Sequence, residues 1–349
     1  MTDGANLIAD TTRRIFRELG APQSLLSNAR RERLWQALSE ADLTRTWVPE
    51  SLGGSGASLA DGFAVLRIAG EYAVANPLAD TLLGGWLLSK AGISAPSGAL
   101  TVAPADIRDR ITLSPNDKLS GAARAVPFGR SAAHIAVVAM RDTQPFIALV
   151  DRQLCATTEH GNLAGDARDT INFKNITPTS LADSPLQHDA LMLMGAAVRA
   201  AQMAGALQSV LDLSVAYANE RIAFAKPIGK FQAIQHSLAK LAGEVAAAVA
   251  AASSAADAID SSPDFDDAVF LEIASAKIRV GEAVTAGAAI AHQVHGAIGF
   301  SQEHVLHCYT QRLWGWRDDF GSESYWATRL GTLVARNGAD ALWPMLAAR

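Results

Sequence analysis

The segment from His188 to Arg221 contains neither a proline nor a cluster of turn residues. It predicts a single long helix, because proline and turn clusters are what normally end one. The segment 242–260 is rich in alanine, and small side chains let helix axes approach closely. We therefore expect residues 186–349 to form a C-terminal four-helix bundle.

Two other sequence patterns precede this bundle. Residues 1–97 contain apolar residues at helical spacing, as in segment 28–43, and predict an N-terminal helical domain. Residues 98–185 contain short β-branched segments between turn residues, which is typical of an antiparallel sheet. The predicted strands are 111–114, 134–140, 145–150 and 171–176. The expected fold class is mainly α with a small middle β-domain.

Segment 261–268, SSPDFDDA, predicts the start of a further helix within the bundle. Ser262 is a candidate N-cap, and Pro263 suits the first helical position. The acidic residues that follow are favoured by the helix dipole. We expect this helix to begin at Pro263.

Charge and composition exclude several classes of protein. The net charge is −5 and basic residues are spread along the chain, so we expect no nucleic-acid partner. Cys155 and Cys308 lack disulfide or metal spacing, as in proteins of a reducing compartment, and no ligand set predicts a metal site. The N-terminus has no signal-peptide pattern, and no apolar run reaches about 18 residues. We expect a cytoplasmic protein without a membrane span.

Three motifs occur in order along the chain. They are VPESLGGSGAS at 48–58, ERIAFAKPIGKFQAIQHSLAKLA at 220–242 and QVHGAIGFSQEHVLHCYTQR at 293–312. They resemble three segments of the acyl-CoA dehydrogenase family of flavoproteins: a proline-acid-xx-Gly-Gly-x-Gly loop, an Arg-x-x-Phe-Gly segment and a Gln-x-x-Gly-Gly-x-Gly-Phe turn. The resemblance spans nearly the whole chain, and the order of the expected domains is that of the family.

The resemblance implies FAD as the cofactor, bound between the β-domain and the bundle and completed by a neighbouring subunit. Arg221 would contact the diphosphate of the FAD bound to the neighbouring subunit, because a guanidinium offers planar, paired donors to phosphate oxygens. Phe224 would pack against that cofactor. Gln293 and Gly296 would lie at its adenine-diphosphate end. We therefore expect an oligomer, since a monomer would have an incomplete cofactor site.

The residue that this family uses as its catalytic base is missing from both known positions. The base is a glutamate, and a gapless alignment from the Gly299-Phe300 pair places Phe320 at its commoner position. Counting back from Arg221 places Gly195 at the alternative position.

Two nearby carboxylates, Glu323 and Asp319, are our candidate bases, and Asp318 is a third acid in the segment. One residue of offset on a helix rotates a side chain by about 100°, so Asp319 would not point where a glutamate at 320 points. Glu323 lies about one helical turn further on. The alternative is that all three acids are solvated or paired with Arg312, Arg317 or Arg329.

The flavin-facing side of the β-domain also departs from the family. The family's Trp-x-Thr segment corresponds to ARAVPFGR at 123–130, where neither the tryptophan nor the threonine is present. Pro127 stands near the place of the threonine and has no backbone N–H to donate to a flavin. Flavin contacts on that side of the chain are therefore in question.

Three hypotheses follow from these observations. The first is an FAD-dependent acyl-CoA dehydrogenase that oxidises an acyl-CoA to the enoyl-CoA, passes electrons to an acceptor, and uses Glu323 or Asp319 as its base. The second is a non-catalytic subunit of a heteromeric acyl-CoA dehydrogenase, of the type described for steroid and other bulky acyl-CoA substrates in lipid or steroid catabolism. There the partner chain would carry the base, and this chain would complete the FAD site. A third, weaker hypothesis is a flavin-free scaffold.

Overall fold

The computed structural model describes residues 3–20, 27–186, 189–262 and 264–347. The N-terminal part is helical, and its apolar faces enclose a core that includes Phe16, Leu34 and Trp86. Its helices are α1 (Asp3–Leu19), α2 (Asn28–Glu40), α3 (Leu59–Glu71) and α4 (Leu78–Lys90). Ser58 starts α3 with a reciprocal capping box to Asp61, which satisfies N–H groups that would otherwise be unpaired.

The middle part of the chain forms an eight-stranded sheet in the order β6-β7-β3-β2-β4-β5-β8, with β1 paired to β4. The strands are β1 (Leu100–Ala103), β2 (Ile111–Leu113), β3 (Leu119–Pro127), β4 (His134–Arg141), β5 (Gln144–Asp151), β6 (Ala156–Thr158), β7 (Arg168–Ile176) and β8 (Ser180–Asp183). Strands β4 and β5 pair over their full length, from His134 opposite Asp151 to Arg141 opposite Gln144. The apolar side chains that alternate along them form a second core.

The sheet is mostly antiparallel, but β1 and β2 both run parallel to β4. The expected antiparallel arrangement therefore holds for most strand pairs but not for β1 and β2 against β4. All four predicted strands are present, whereas β1, β3, β6 and β8 were not predicted. Strand β3, LSGAARAVP, has few β-branched residues, and its pairing with β7 is irregular between Ala123 and Val126. Its sequence therefore carried little strand signal.

The C-terminal part is a helical bundle built around one buried helix. A short hairpin joins the first two helices, and three shorter helices end the chain. The elements are α5 (Ala190–Glu220), β9 (Ile222–Ala223), β10 (Lys226–Pro227), α6 (Gln232–Ser261), α7 (Asp267–His295), α8 (Leu306–Asp318), α9 (Glu323–Asn337) and α10 (Ala339–Ala347). The predicted fold class, helices around a middle β-domain with a C-terminal bundle, is confirmed. The domain boundaries stay predictions.

The start of α7 differs from the expectation. Ser262 ends α6 as its C-cap, and the next helix begins at Asp267 with Asp266 as its N-cap. The Asp266 carboxylate accepts hydrogen bonds from the N–H groups of Ala268 and Val269. Asp266, four residues after Ser262, is therefore the N-cap of this helix. Pro263 lies outside the described residues.

Helices α5 and α6 are both long and apolar enough to cross a membrane by length and composition alone. The most apolar window of α5 is entirely buried inside the molecule, whereas 28% of the corresponding window of α6 is buried. Helix α5 is therefore the core helix of the bundle. The absence of a membrane span stays a prediction.

Helices α3 and α5 cross with their backbones in contact. A methyl group on Gly205 of α5 would lie 1.9 Å from the carbonyl oxygen of Arg67, and one on Gly70 of α3 would lie 2.0 Å from that of Gln202. Neither neighbour can move without moving a helix, because both are backbone atoms. The two glycines therefore fix how closely the N-terminal helices approach the bundle.

Four buried charged side chains join all three parts of the chain. The Arg199 guanidinium of α5 donates to Asp80 of α4 at 2.7 Å and to Asp319, which follows α8, at 2.9 Å. Arg168 of β7 donates to both oxygens of Asp319, at 3.0 and 2.8 Å. Arg199 and Asp80 are 1% exposed. Two positive and two negative charges thus compensate one another away from water.

We expect Gly205→Ala to destabilise the protein by about 1–3 kcal/mol or more, because the added methyl group overpacks a contact between two backbones. The matched control is Gly243→Ala on α6, where the added methyl group meets open space. That change should stabilise by about 0.5–1 kcal/mol, since alanine favours helix. Urea unfolding of both variants measures the difference. Equal effects would contradict the packing argument.

We expect Arg199→Ala to lower the free energy of unfolding by about 3–5 kcal/mol, because Asp80 and Asp319 both lose a buried partner. The control is Arg336→Ala, since Arg336 pairs with Asp267 on the surface with side chains 63% and 65% exposed. The control should cost less than about 1 kcal/mol. Chemical denaturation at pH 7 compares the two, and a loss in Arg199→Ala no larger than in the control would overturn the assignment.

Candidate functional site

A cavity of about 820 Å³ lies between the β-domain and the turn that joins α8 to α9. This is where the family resemblance places the flavin. The walls include Ile107 and Pro127 from the β-domain, Asn162 from the loop between β6 and β7, and Trp314 and Phe320 from the bundle side. The candidate base segment 316–324 therefore does border a cleft.

The residues at the two expected base positions, Phe320 and Gly195, pack against each other at the end of this cleft. Phe320 is 1% exposed, and its ring lies against Gly195 of α5. A methyl group on Gly195 would lie 2.4 Å from Cδ1 of that ring. The Arg199 guanidinium lies 5.5 Å from the ring centroid, within cation–π distance. An aromatic ring thus occupies the space where a glutamate from either position would act.

Asp319 is held by the two arginines and does not act as an open carboxylate. Burial alone would raise its pKa, but Arg168 and Arg199 pair with it and together lower the pKa below the usual range. A carboxylate with a lowered pKa and three hydrogen bonds binds a proton weakly, which is the opposite of what a general base requires. Its partners are Arg168 and Arg199, not the arginines considered from the sequence.

Glu323 and Asp318 both lie near Arg317. Glu323 begins α9, and its side chain packs on Gly281 of α7, where an added methyl group would lie 2.5 Å from its Oε1. Its carboxylate is 3.6 Å from the Nε of Arg317, and so is that of Asp318, whose side chain is 66% exposed. Glu323 is not among the residues that line the cleft. Asp318 does line it, but as a solvated, paired acid.

Lys277 of α7 holds the turn that carries Phe320 in place. Its ammonium group is fully buried and donates to the carbonyl oxygens of Arg317 and Gly321. Burial lowers the pKa of Lys277 to about 8, although Asp319 and Asp318 oppose this effect. The end of α8 is thus fixed by a charged donor on two backbone acceptors.

The β-domain side of the cleft offers few hydrogen-bond donors to a flavin. The Arg124 N–H is taken by the Asp109 carboxylate at 2.5 Å, and the Phe128 N–H by the carbonyl oxygen of Ala167 at 3.0 Å. Pro127, which lines the cleft, has no N–H. The backbone donors around the family's threonine position are thus absent or used internally. This side of the chain does not fit a flavin well.

The segment expected to reach the cofactor of another subunit is exposed. Arg221 is the exposed C-cap of α5, and its guanidinium makes no hydrogen bond or ion pair within the described ranges. The hairpin of β9 and β10 follows it, and Phe224 at its tip is 90% exposed with φ +51°. An exposed arginine next to an exposed aromatic ring fits a phosphate-bearing, planar ligand.

Gln293 and Gly296 come together at a second, open cavity of about 430 Å³. Gly296 has φ +66° and open space beside it, so a ligand can approach the backbone there. The rings of His292, Phe300 and Trp314 form a stack along this cavity, with centroid distances of 3.9 and 5.9 Å from His292. The outward-facing residues therefore fit the cofactor better than the cleft does.

Sequence reasoning missed the charged residues that shape the cleft, Arg168, Arg199, Asp80 and Lys277. Arg199 is the only charge in the apolar segment LMLMGAAVRAAQ, and Lys277 lies on the apolar face of α7 among Ile273, Ala274 and Val280. A lone charge on an apolar helix face signals a buried ion pair or a buried backbone contact. Their partners are distant in sequence and carried no such signal. No set of three or more potential metal ligands occurs among the residues that the structure describes.

A family profile and a curated relative that match this chain are both described as acyl-CoA dehydrogenases. Residues 188–315 match the family profile described as acyl-CoA dehydrogenase, C-terminal domain. The acyl-CoA dehydrogenase IpdE2 of Mycobacterium tuberculosis is 28% identical over 285 residues, which is 81% of this chain and 81% of that protein.

Two solved structures share the fold over nearly the whole chain. A chain in the ChsE4-ChsE5 complex from Mycobacterium tuberculosis superposes with a TM-score of 0.87 and 22% identity, covering 97% of this chain and 99% of that one. A chain of the Tcur3481-Tcur3483 steroid ACAD variant has a TM-score of 0.85 and 24% identity, with coverage of 96% and 98%. The resemblance to acyl-CoA dehydrogenases drawn from the sequence is confirmed, and residues 188–315 match the C-terminal domain of that family.

Proposed function

We propose that this chain is the non-catalytic subunit of a heteromeric acyl-CoA dehydrogenase and completes the FAD site of a second chain that carries the base. The observation that carries this proposal is the contact of Phe320 with Gly195. Position 320 holds this ring in place of the family's glutamate, and the same ring fills the space that a glutamate at 195 would need.

The acids near the cleft support the same conclusion. A general base has to be within reach of the substrate and must have a pKa near the working pH. Asp319 is paired with Arg168 and Arg199, Glu323 packs against α7, and Asp318 is largely solvated. The alternative, a self-sufficient dehydrogenase with Glu323 or Asp319 as its base, would require this turn to rearrange.

The cofactor that the family implies is FAD, which accepts the β-hydride of the acyl-CoA when bound. In this proposal Arg221 pairs with the diphosphate of the FAD on the second chain, and Phe224 covers part of that cofactor. Gln293 and the backbone at Gly296 meet its adenine-diphosphate end. The exposed, outward position of Arg221 and Phe224 supports this assignment, and so does the internal use of donors in the chain's own cleft.

The names of the relatives support a heteromer that acts on a bulky acyl-CoA. One matched structure is named as a complex of two chains, ChsE4-ChsE5, and another as a steroid ACAD. We propose a cytoplasmic assembly that takes an acyl-CoA of lipid or steroid catabolism. It would pass electrons to an electron-transfer acceptor.

The first test uses the chain alone. We expect it to show no flavin bleaching with a panel of acyl-CoA thioesters, because Asp319 is paired with two arginines and Glu323 does not line the cleft. Addition of an acyl-CoA dehydrogenase chain that has the glutamate base should give bound flavin, about one FAD per two chains, and substrate bleaching. Absorbance at the flavin band measures both. Bleaching by the chain alone would support the self-sufficient enzyme, and a colourless mixture in every setting would overturn both hypotheses.

We expect Arg221→Ala to weaken FAD binding by the two-chain complex by about 10- to 100-fold, the loss of one charge-assisted contact of about 1.5–3 kcal/mol. The complex itself should still form, because the rest of the exposed hairpin remains. The matched control is Arg336→Ala, an exposed arginine on α9. Fluorescence titration of apo-complex with FAD gives the affinities. Equal affinities for the two variants would remove Arg221 from the cofactor site.

A further inference from the structure

The ends of α5 and α7 carry the two segments that face the cofactor, and one pair of rings joins them. Tyr217 lies one turn before Arg221, and its carbonyl oxygen accepts the Arg221 N–H. His295 lies two residues after Gln293 and directly before Gly296. The rings of Tyr217 and His295 are stacked with centroids 4.5 Å apart and planes at 23°.

A third ring closes this contact. His304, from the segment before α8, lies 4.6 Å from the His295 ring and 6.0 Å from the Tyr217 ring. Its Nδ1 accepts the N–H of Leu306 at 3.1 Å, which requires an unprotonated nitrogen at that position. The three rings therefore pack together at the point where the two cofactor-facing segments leave the bundle.

The surroundings of His295 suit the neutral ring only. Its Nδ1 is 2.8 Å from the carbonyl oxygen of Ala291 and so carries the proton. Its Nε2 is buried, and no hydrogen-bond partner for it occurs in the described part of the chain. A proton added at Nε2 would place a charge in a buried site without an acceptor, which is costly.

We propose that His295 is a positioning residue that joins the Arg221 segment to the Gln293–Gly296 segment through Tyr217 and His304, and that it does so only while its ring is neutral. The proposal rests on the proposed function for its meaning, because the two segments matter as parts of one cofactor site. The joint itself is a property of this chain alone.

The titratable groups that face His295 are Tyr217 from α5, His292 from its own helix and His304 from the segment before α8. Besides burial, the charge of His307 in α8 lowers the pKa of His292 and the pKa of His304. None of these neighbours is a carboxylate that would favour an added proton. Burial lowers the pKa of His295, with smaller contributions from His304 and His292 in the same direction, although the bond to Ala291 opposes them.

The sign of the pH effect follows from that direction. Above the ordinary histidine pKa the ring is neutral in both folded and unfolded chains, so the joint is fully stable. As the pH falls below it, the unfolded or loosened state takes up the proton first. The joint therefore loosens on acidification, and both segments should loosen together because one ring pair holds them.

The test is hydrogen–deuterium exchange of the chain alone, at pH 7.5 and pH 5.5, with correction for the intrinsic pH dependence of exchange. We expect residues 215–226 and 293–301 to lose protection together at the lower pH in the natural chain. His295→Phe keeps a stacking ring that cannot titrate, and should remain protected at both pH values. In His295→Ala, protection of both segments should fall by about twofold to tenfold at both pH values, which is the range that aromatic pairs contribute.

A matched control and a second variant complete the test. His236→Phe changes an exposed histidine of α6 and should respond to pH as the natural chain does. Tyr217→Leu removes the α5 ring and should loosen both segments even if the His295 variants fold poorly. Unchanged protection of the natural chain at pH 5.5, a response confined to 293–301, or the same response in His295→Phe would each overturn the proposal.

The exchange experiment needs no second chain, so its outcome is independent of the proposed function. Flavin content of the two-chain complex at the same two pH values then connects the joint to the cofactor. Coupled loosening in the chain alone, together with a complex that never binds flavin, would leave the joint standing and reject the proposed function. If the two segments do not loosen together but the complex binds flavin normally, the joint is rejected and the proposed function is retained.

Discussion

The buried guanidinium of Arg199 is the contact on which the arrangement of the three parts depends. It extends from the core helix of the bundle to Asp80 in the N-terminal helices and to Asp319 at the end of α8. Asp319 in turn binds Arg168 of the sheet. A set of buried charges is stable only when every member is paired with good geometry. The helices and the sheet are therefore held in one relative position by directional bonds as well as by apolar packing.

The same network of buried charges removes Asp319 from use as a base in the cleft. Asp319, the carboxylate nearest to the usual base position, is paired with Arg168 and Arg199. The guanidinium of Arg199 also lies over the ring of Phe320. The turn is further fixed by Lys277 on its two carbonyl oxygens. A site built to remove a proton has to leave one carboxylate underpaired. Here every charge near the end of the cleft has a structural partner, and the outward-facing residues keep their functional groups exposed.

Much of the fold could be predicted from the sequence, because periodicity and turn residues are local signals. The uninterrupted segment before Arg221 is a single helix, and the short β-branched segment 134–140 is a strand. Strand β3 was missed because its pairing is imposed by β7 and not by its own residues. Family motifs predicted Arg221, Phe224, Gln293 and Gly296 as cofactor-binding residues, and the structure shows that these positions are exposed. Distant ion pairs such as Arg199 with Asp80, 119 residues apart, have no local signature in the sequence, because the folded chain alone brings the two residues together.

The reciprocal fit of Phe320 and Gly195 couples the residue types that the two positions can hold. A glutamate introduced at 195 alone would collide with the ring. A glutamate introduced at 320 alone would leave a void beside Gly195 and place its carboxylate next to the Arg199 guanidinium, where a lowered pKa would make it a weak base. A glutamate at either position is therefore accommodated only when the other position changes with it, so the effects of substitutions at 195 and 320 are not additive. A single substitution at this contact does not place an open carboxylate at the end of the cleft.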